Sequence, residues 1–480
     1  MPSDGSPRYR LGPRSTRGLI AGWTTGQIIC VAGGLVLGLG LMRSLGGGLG
    51  FVLGVLVTSA GFAVALWPVL GRTVEQWAPT VVAFGLRSVA DGGHQPWSNR
   101  RRQPGPLSRL SLVSLDDVTK GASGSSGDAI SPSSRDLSPP EAHSPGVVGD
   151  AEAGTLTAVL SVGGAGFALM DEQERAGRIA DWSGLLAALA REGTGIHRLQ
   201  WVFSTYPSGL DGPLSAGGGV GTVGEHYERL LSEAAPSLWE HEILVAVTVR
   251  RRLARHGRAE ATSLLRTQLT SVSERLAAAG LVPGQALSTF ALAARLKRSF
   301  KCEALDGMPA WPWPVGVENT WSRLRTDATW HVSYWVAEWP RAEVQGGWLL
   351  PLLFVAGVRA TVSMTMAPLP PLAAVRRAER ERTEGTADAE LRRRHGFSVT
   401  ARANREQEGR HQREAELAEG HAAYRFSGYV TVTEADPVAL DEACGRVEQA
   451  AALAHLELRR LYGAQEVGFC TTLPVGRGCG

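Results

Sequence analysis

GLIAGWTTGQIICVAGGLVLGLGLM (residues 18–42) and SLGGGLGFVLGVLVTSAGFAVALWPVLG (residues 44–71) are two uncharged runs separated by one residue, Arg43. Each exceeds the ~20 residues that a helix needs to cross a hydrocarbon core of about 30 Å, so each can span a bilayer. The glycine-rich turn around Gly46, Gly47 and Gly48 leaves room only for an antiparallel hairpin. The chain beyond it therefore returns to the side from which the first helix started.

Arginines indicate which side that is. Arg8, Arg10, Arg14 and Arg17 precede the first run, and Arg72, Arg87 and Arg100 to Arg102 follow the second, whereas the turn carries only Arg43. The positive-inside rule then places both termini in the cytoplasm and the hairpin in the plasma (inner) membrane. A cleaved signal peptide is disfavoured because no small-residue cleavage site ends the first run and a second span follows at once. Trp23, Trp67 and Trp77 are expected at the cytoplasmic interface as an aromatic belt. Small residues recur four apart, and Gly34, Gly38, Gly50 and Gly54 are the candidates for close packing between the helices.

The chain has 480 residues, enough beyond the hairpin for one large or two ordinary domains with real cores. Its 49 basic and 46 acidic residues give a net charge of +3, so no global field recruits nucleic acid, and none is expected to bind directly. Lysine occurs only at positions 120, 297 and 301, a bias that high-GC coding explains. Cys30, Cys302, Cys444, Cys470 and Cys479 are scattered, with no C-x-x-C and no histidine at ligand spacing. Neither a zinc site nor a disulfide framework follows, and reduced thiols fit a cytoplasmic body.

Five segments are expected. Residues 1–90 hold the cytoplasmic tail and the membrane hairpin. Residues 91–153, rich in Gly, Ser and Pro, read as a flexible linker, because such a stretch buries too little apolar surface to offset its ordering entropy. Within it only 107–115 alternates as a strand would. An α/β body follows over 154–369, with strands at 155–162, 196–203, 243–249, 321–325, 330–339 and 359–366, and helices near 171–191, 258–279 and 287–299. Residues 370–422 read as a charged helical hairpin whose first helix runs from about 371 to 394, and 423–480 as a C-terminal α/β half with strands at 423–433, 456–461 and 466–473 and a helix at 437–453. Alternating strands and helices predict an α+β (α/β) fold, in the form of two ferredoxin-like halves with the charged hairpin projecting from them.

The motifs that would carry chemistry are not built for it. Gly219, Gly221 and Gly224 form a literal G-x-G-x-x-G, but a dinucleotide fingerprint needs a strand directly before it and an acid closing the next strand. Here a Pro/Ser/Gly-rich loop precedes it, and Glu240 and Glu242 open the next strand. No lysine sits between Gly and Ser/Thr, which excludes a Walker A loop, and there is no H-E-x-x-H, G-x-S-x-G or kinase catalytic loop. No catalytic residue, cofactor-binding residue or metal ligand is therefore assigned. Seven of the fourteen tryptophans fall between Trp311 and Trp348. With Glu338 among them they read as aromatic core or partner interface rather than a base-stacking platform, and Trp335 and Trp339 are the interface candidates. His331 is then a core or edge histidine. Over 376–419 arginines alternate with acids, and a helix polar all round cannot be core. Arg376, Arg380, Arg392 and Arg393 are the candidates for a docking surface.

The ordering of these elements carries a resemblance. YGAQEVGFCTTLPVGRG (462–478), after GYVTVT (428–433) and a helix, resembles the end of the N-terminal domain of VirB4-type secretion ATPases, where a similar strand and Leu-Pro lead into the motor. This chain stops two residues after Gly478, where the motor would begin. The hairpin is similar to VirB3/PrgI-type membrane subunits, which some systems fuse to VirB4. The whole layout, apart from the linker and the 207–222 loop, resembles an actinobacterial integral-membrane family encoded with conjugation-type secretion genes. The residues that carry the likeness are Glu338-Trp339-Pro340, LLPLL at 349–353, Leu473-Pro474 and Gly476-Arg477-Gly478. The resemblance implies a non-enzymatic inner-membrane component of a type IV-like secretion apparatus. It would dock a separately encoded VirB4-like ATPase and other membrane subunits, as a homo-oligomer within a larger complex. Two alternatives are an EccE-like component of type VII (ESX) secretion and a membrane-tethered nucleotide- or sugar-handling enzyme using the 217–224 loop.

Overall fold

The computed structural model describes residues 25–69, 72–90, 107, 109–120, 144–164, 166, 170–191, 195–207, 239–251, 257–300, 312–314, 316–340, 343–394, 408–409, 412, 415 and 422–479. The G-x-G-x-x-G stretch, Trp23, residue 302 and nearly all of the second arm of the charged hairpin lie outside them.

The N-terminal unit is helical. Helices α1 (Thr25–Leu45) and α2 (Gly47–Leu66) are both long and apolar enough to cross a membrane. The turn is tighter than expected: Gly46 alone separates them, with φ +56°, a conformation that favours glycine. The second helix stops at Leu66 rather than running to 71, because Pro68 cannot continue it. A two-stranded ladder, β1 (Pro68–Val69) with β2 (Arg72–Thr73), leads into a third helix, α3 (Val74–Ala90), which the sequence reading did not separate from the hairpin. Trp77 lies on α3 and is buried.

The second unit is built on a twelve-stranded antiparallel sheet. Its first part comprises β3 (Leu110–Ser114), α4 (Leu115–Lys120), β4 (Gly146–Asp150), β5 (Thr155–Gly163), α5 (Glu172–Leu189), β6 (Ile196–Pro207), β7 (Trp239–Arg250), α6 (Gly257–Ala278), β8 (Val282–Ala286) and α7 (Thr289–Phe300). The second comprises β9 (Val317–Asn319), β10 (Leu324–Thr326), β11 (Thr329–Glu338), α8 (Leu350–Leu353), β12 (Ala360–Pro368), α9 (Pro371–Arg394), β13 (Tyr424–Glu434), α10 (Pro437–Leu453), β14 (Glu457–Arg460) and α11 (Gln465–Thr472). The fold is thus mixed α+β.

The two parts repeat one plan. Strands β8-β5-β7-β6 lie side by side in the first, and β14-β11-β13-β12 in the second, every pair antiparallel. The outer edge of β5 is shared between β4 and β8, and that of β11 between β10 and β14. β6 and β12 pair antiparallel from Leu199↔Met366 to Ser204↔Thr361, which fuses the parts into one sheet.

One face of the sheet is covered by α5 and α6 over the first part and by α8 and α10 over the second. The cores there centre on Leu265, Val272 and Val247, and on Leu440, Val447 and Val430. The other face carries α7 and α11, with Leu292, Leu296, Phe300 and Phe469 packed on Val159, Ala246 and Leu324. Alternation along the strands divides these two faces.

Three expected boundaries change. Strand β3 lies within the 107–115 stretch that alternates as a strand would, and β4 is a further strand inside the segment expected to be flexible linker. Composition misleads there because Leu110, Val147 and Val148 suffice once the edge of β5 supplies the hydrogen bonds. Residues 423–480 are not a separate half, since β13 inserts between β11 and β12. Residues 465–472 are a helix rather than a strand. All its residues but Val467 are buried, so no amphipathic period separates the two readings.

Candidate functional site

The sheet face under α7 and α11 is rich in hydroxyls where the strands of the two parts meet. Thr157, Thr248, Ser204, Ser363, Thr365, Ser427, Thr431 and Thr433 are all buried there, and β-branched threonine suits a pleated surface. Buried polar groups require partners, and for Thr157, Thr365 and Ser427 the segment 473–479 supplies them by running across the seam as a strap.

Gln200, fully buried on β6, is its anchor. Its Nε2 donates to the carbonyls of Thr471 (2.9 Å) and Leu473 (2.8 Å) and to Ser363 Oγ (2.9 Å), and its Oε1 accepts from the Gly476 N–H (2.7 Å). Thr157 Oγ1 donates to the Val475 carbonyl (3.2 Å), and Thr365 Oγ1 to that of Arg477 (2.8 Å). The Cys479 N–H donates to Ser427 Oγ at 3.0 Å. Arg477 Nε donates to Asp150 Oδ2 at 2.8 Å, a pair in which the Asp150 side chain is only 3% exposed. Arg198 Nη1 donates to the Gly476 carbonyl at 3.1 Å. The Gly-Arg-Gly motif follows from sterics. Gly476 has φ +72° and a Cβ there would meet Thr248 Oγ1 at 2.0 Å, and Gly478 has φ +124° with Thr365 Oγ1 at 2.7 Å.

Next to the strap, Arg359 is 6% exposed and its Nη2 donates to the carbonyl of Arg298. The guanidinium groups of Arg298 and Arg359 lie 4.1 and 5.2 Å from the centre of the Tyr206 ring. Arg298 pairs with Glu240 at 2.6 Å and holds that carboxyl below its ordinary range through the hydrogen bond. Arg295 pairs with Glu242. Between Tyr206, Arg359, Thr361, Thr431 and Leu473 remains a space of about 10 Å³, room for about one water. Burial, and then Arg359, keep His331 well below the ordinary histidine range, so its ring is neutral. It sits between Thr326 Oγ1 (2.6 Å) and Thr433 Oγ1 (2.9 Å), a core histidine with both nitrogens in hydrogen bonds. The Cys470 thiol is fully enclosed and pushed upward by burial. Among the described residues no three His, Cys, Asp or Glu side chains are grouped to hold a metal. Most of the hydroxyls of this face are committed to one another, to Gln200 or to the strap, an arrangement suited to clasping the seam, although Arg198 Nε and Arg477 Nη2 are buried without a hydrogen-bond partner among the described residues.

The residues singled out in the sequence lie elsewhere. Gly34, Gly38, Gly50 and Gly54 are all buried between α1 and α2. A Cβ on Gly38 would come within 2.6 Å of the Gly54 carbonyl, and one on Gly34 within 3.0 Å of the Gly61 Cα. Thr58 Oγ1 donates to the carbonyls of Gly54 (2.9 Å) and Gly34 (3.4 Å). Arg376 and Arg380 are exposed on α9, where they border a shallow open hollow with Glu379 and Thr383. Arg392 and Arg393 lie in the last turns of the same helix. Trp335 and Trp339 do not share a face. A register shift after Val336 turns Trp339 into the core, 5.2 Å from Phe426 and 6.3 Å from Trp348. The sequence reading missed Gln200, Arg359 and the Asp150–Arg477 pair. A glutamine inside an apolar strand was the available signal.

In comparison with known proteins, the chain matches no family model and no curated protein.

Proposed function

We propose that this protein is a membrane-anchored, non-enzymatic docking subunit, which holds a separately encoded VirB4-like ATPase at the inner membrane as part of a type IV-like secretion apparatus. The observation that carries the anchoring half is the hairpin. Leu35, Val36, Leu37, Phe51, Val52 and Leu56 are exposed on its outside, while glycines meet on its inside. That inversion of the soluble pattern suits lipid as the surrounding medium. The docking half is supported by α9, on which Arg376, Arg377, Arg380 and Arg382 are exposed together with Glu379, and where Ala374 alone is buried among the described side chains. Such a helix gains little from packing within its own chain, and a partner of matching charge pattern gives it a role.

We further infer that the two parts of the sheet are ferredoxin-like units. Each has four strands in the order fourth, first, third, second, with helices over one face, although the short α8 stands where the first part has α5. This reading supports a scaffold built by duplication.

The test is co-purification. The full-length chain is expressed with the ATPase encoded beside it and extracted in mild detergent. Co-elution that is lost when Arg376 and Arg380 are both changed to Glu is the expected result. Release of the chain from membranes by alkaline carbonate would overturn the anchor, and separate elution of the ATPase would overturn the docking role.

A further inference from the structure

Helix α3 has an exposed apolar face that no described element covers. Ala78, Val81, Val82, Gly85 and Leu86 are all exposed, Val81 by 50%, Val82 by 57% and Leu86 by 67%. They fall at i, i+3, i+4, i+7 and i+8, one continuous stripe along a helix. Gln76, Thr80 and Arg87 form a second stripe at i, i+4 and i+11, and Trp77 is buried. The helix is therefore amphipathic with its apolar side turned outward.

Its position decides what that side meets. Only residues 67–73 separate it from α2, and the ladder Pro68↔Thr73 and Val69↔Arg72 folds this link back on itself. The first turn of α3 thus starts about one strand spacing, roughly 5 Å, from the last turn of α2. If α2 spans the bilayer, α3 begins at its surface. With 17 residues it is about 25 Å long, short of the ~20 residues a span requires, and it carries Arg87. A short amphipathic helix at that depth lies in the interface with its apolar stripe in the acyl boundary. Arg72 and Arg87 flank the apolar stripe in sequence and suit anionic headgroups.

We infer that α3 is an in-plane membrane helix, with Val81, Val82 and Leu86 inserted at the headgroup–acyl boundary of the leaflet where α2 ends. This rests on the hairpin spanning the membrane, and the experiment separates the two. A photo-crosslinking benzophenone side chain is placed singly at positions 37, 80, 82 and 86 of the full-length chain, reconstituted in vesicles of phosphatidylethanolamine and phosphatidylglycerol. Position 37, exposed by 64% on α1, reports the span itself. The expected result is phospholipid adducts at 37, 82 and 86 and their loss at 80. Adducts at 37 with none at 82 and 86 would overturn the in-plane helix and leave the hairpin standing. A crosslinked dimer at 82 or 86 would assign the stripe to a second copy instead. Absence of lipid at position 37 as well would overturn the membrane reading and this inference with it.

Discussion

Replacing Gln200 tests whether the strap is held by this one side chain. The amide is fully buried and makes four hydrogen bonds, three of them to the backbone of residues 471–476. In Gln200→Ala the Gly476 N–H is left buried without its acceptor, at about 1–3 kcal/mol. The Thr471 carbonyl and Ser363 Oγ each lose a bond with a net worth of about 1 kcal/mol. The Leu473 carbonyl is spared because the Val475 N–H also donates to it at 2.8 Å. The total of about 3–5 kcal/mol lies at the upper end of single-substitution effects and corresponds to a midpoint lowered by on the order of 10 °C. Gln200→Glu keeps the shape but points an oxygen at the Thr471 and Leu473 carbonyls. Burial raises its folded pKa above the unfolded value of about 4.3. The folded state then binds the proton more tightly, so stability recovers as pH falls through the folded pKa and is lowest above it. The assay is thermal unfolding of the full-length protein in detergent, read by tryptophan fluorescence from pH 8 down to about 4.5. A Gln200→Ala midpoint within about 2 °C of the parent, or a Gln200→Glu variant equally unstable at both ends of that range, would refute the clasp.

The remaining predictions concern the hairpin, a histidine and the charged helix. Gly38→Leu should weaken the hairpin by about 1–3 kcal/mol in SDS titration of mixed micelles followed by helical circular dichroism, because its Cβ meets Thr58 Oγ1 at 2.1 Å. Gly33→Leu, with nothing within 4 Å, should titrate as the parent does. His197 is lowered from 6.5 to about 4 by burial and then by Arg198, Arg250 and Arg425. Its unfolded form therefore takes up the proton first, so its contribution is complete above pH 6.5 and is lost as pH falls toward 4. After discounting for solvent screening the loss is about 1 kcal/mol, and His197→Gln should flatten the fall in stability over that window. Replacing residues 371–422 by a short turn between β12 and β13 should leave the unfolding midpoint nearly unchanged while abolishing co-elution with the ATPase.

Elements with a clear period were legible in the sequence. Pro371–Arg394 and Pro437–Leu453 were expected within a residue, because a proline at each start and a polar or amphipathic repeat define them. The apolar runs gave both long helices, but their ends and α3 depended on Pro68 and on a two-residue ladder that no periodicity records. The strap was illegible for a different reason. Leu473-Pro-Val-Gly-Arg-Gly478 has no period, and its partners Thr157, Gln200 and Thr365 are more than a hundred residues away. Gln200 stands out as a glutamine inside an apolar strand, but nothing in the sequence says which distant segment it holds. The Asp150–Arg477 pair spans 327 positions and could be found only after folding.

The repeat relates two stretches that looked unconnected in the sequence. β6 ends at Pro207, paired with the aromatic Trp239 that opens β7, and β12 ends at Pro368, paired with the aromatic Tyr424 that opens β13. The glycine-rich stretch after 207 and the charged segment after 368 are therefore insertions at the same point of the plan, between its second and third strands. Because β6 and β12 run antiparallel at the seam, the insertions leave from opposite ends of the sheet. A connection at a hairpin end can lengthen at small entropic cost and without disturbing the ladders on either side. In duplicated units this is where the copies are free to diverge. The second part carries the 24-residue polar helix α9 at this point, the surface to which the proposed docking is assigned, while the strap crosses the seam of the same sheet.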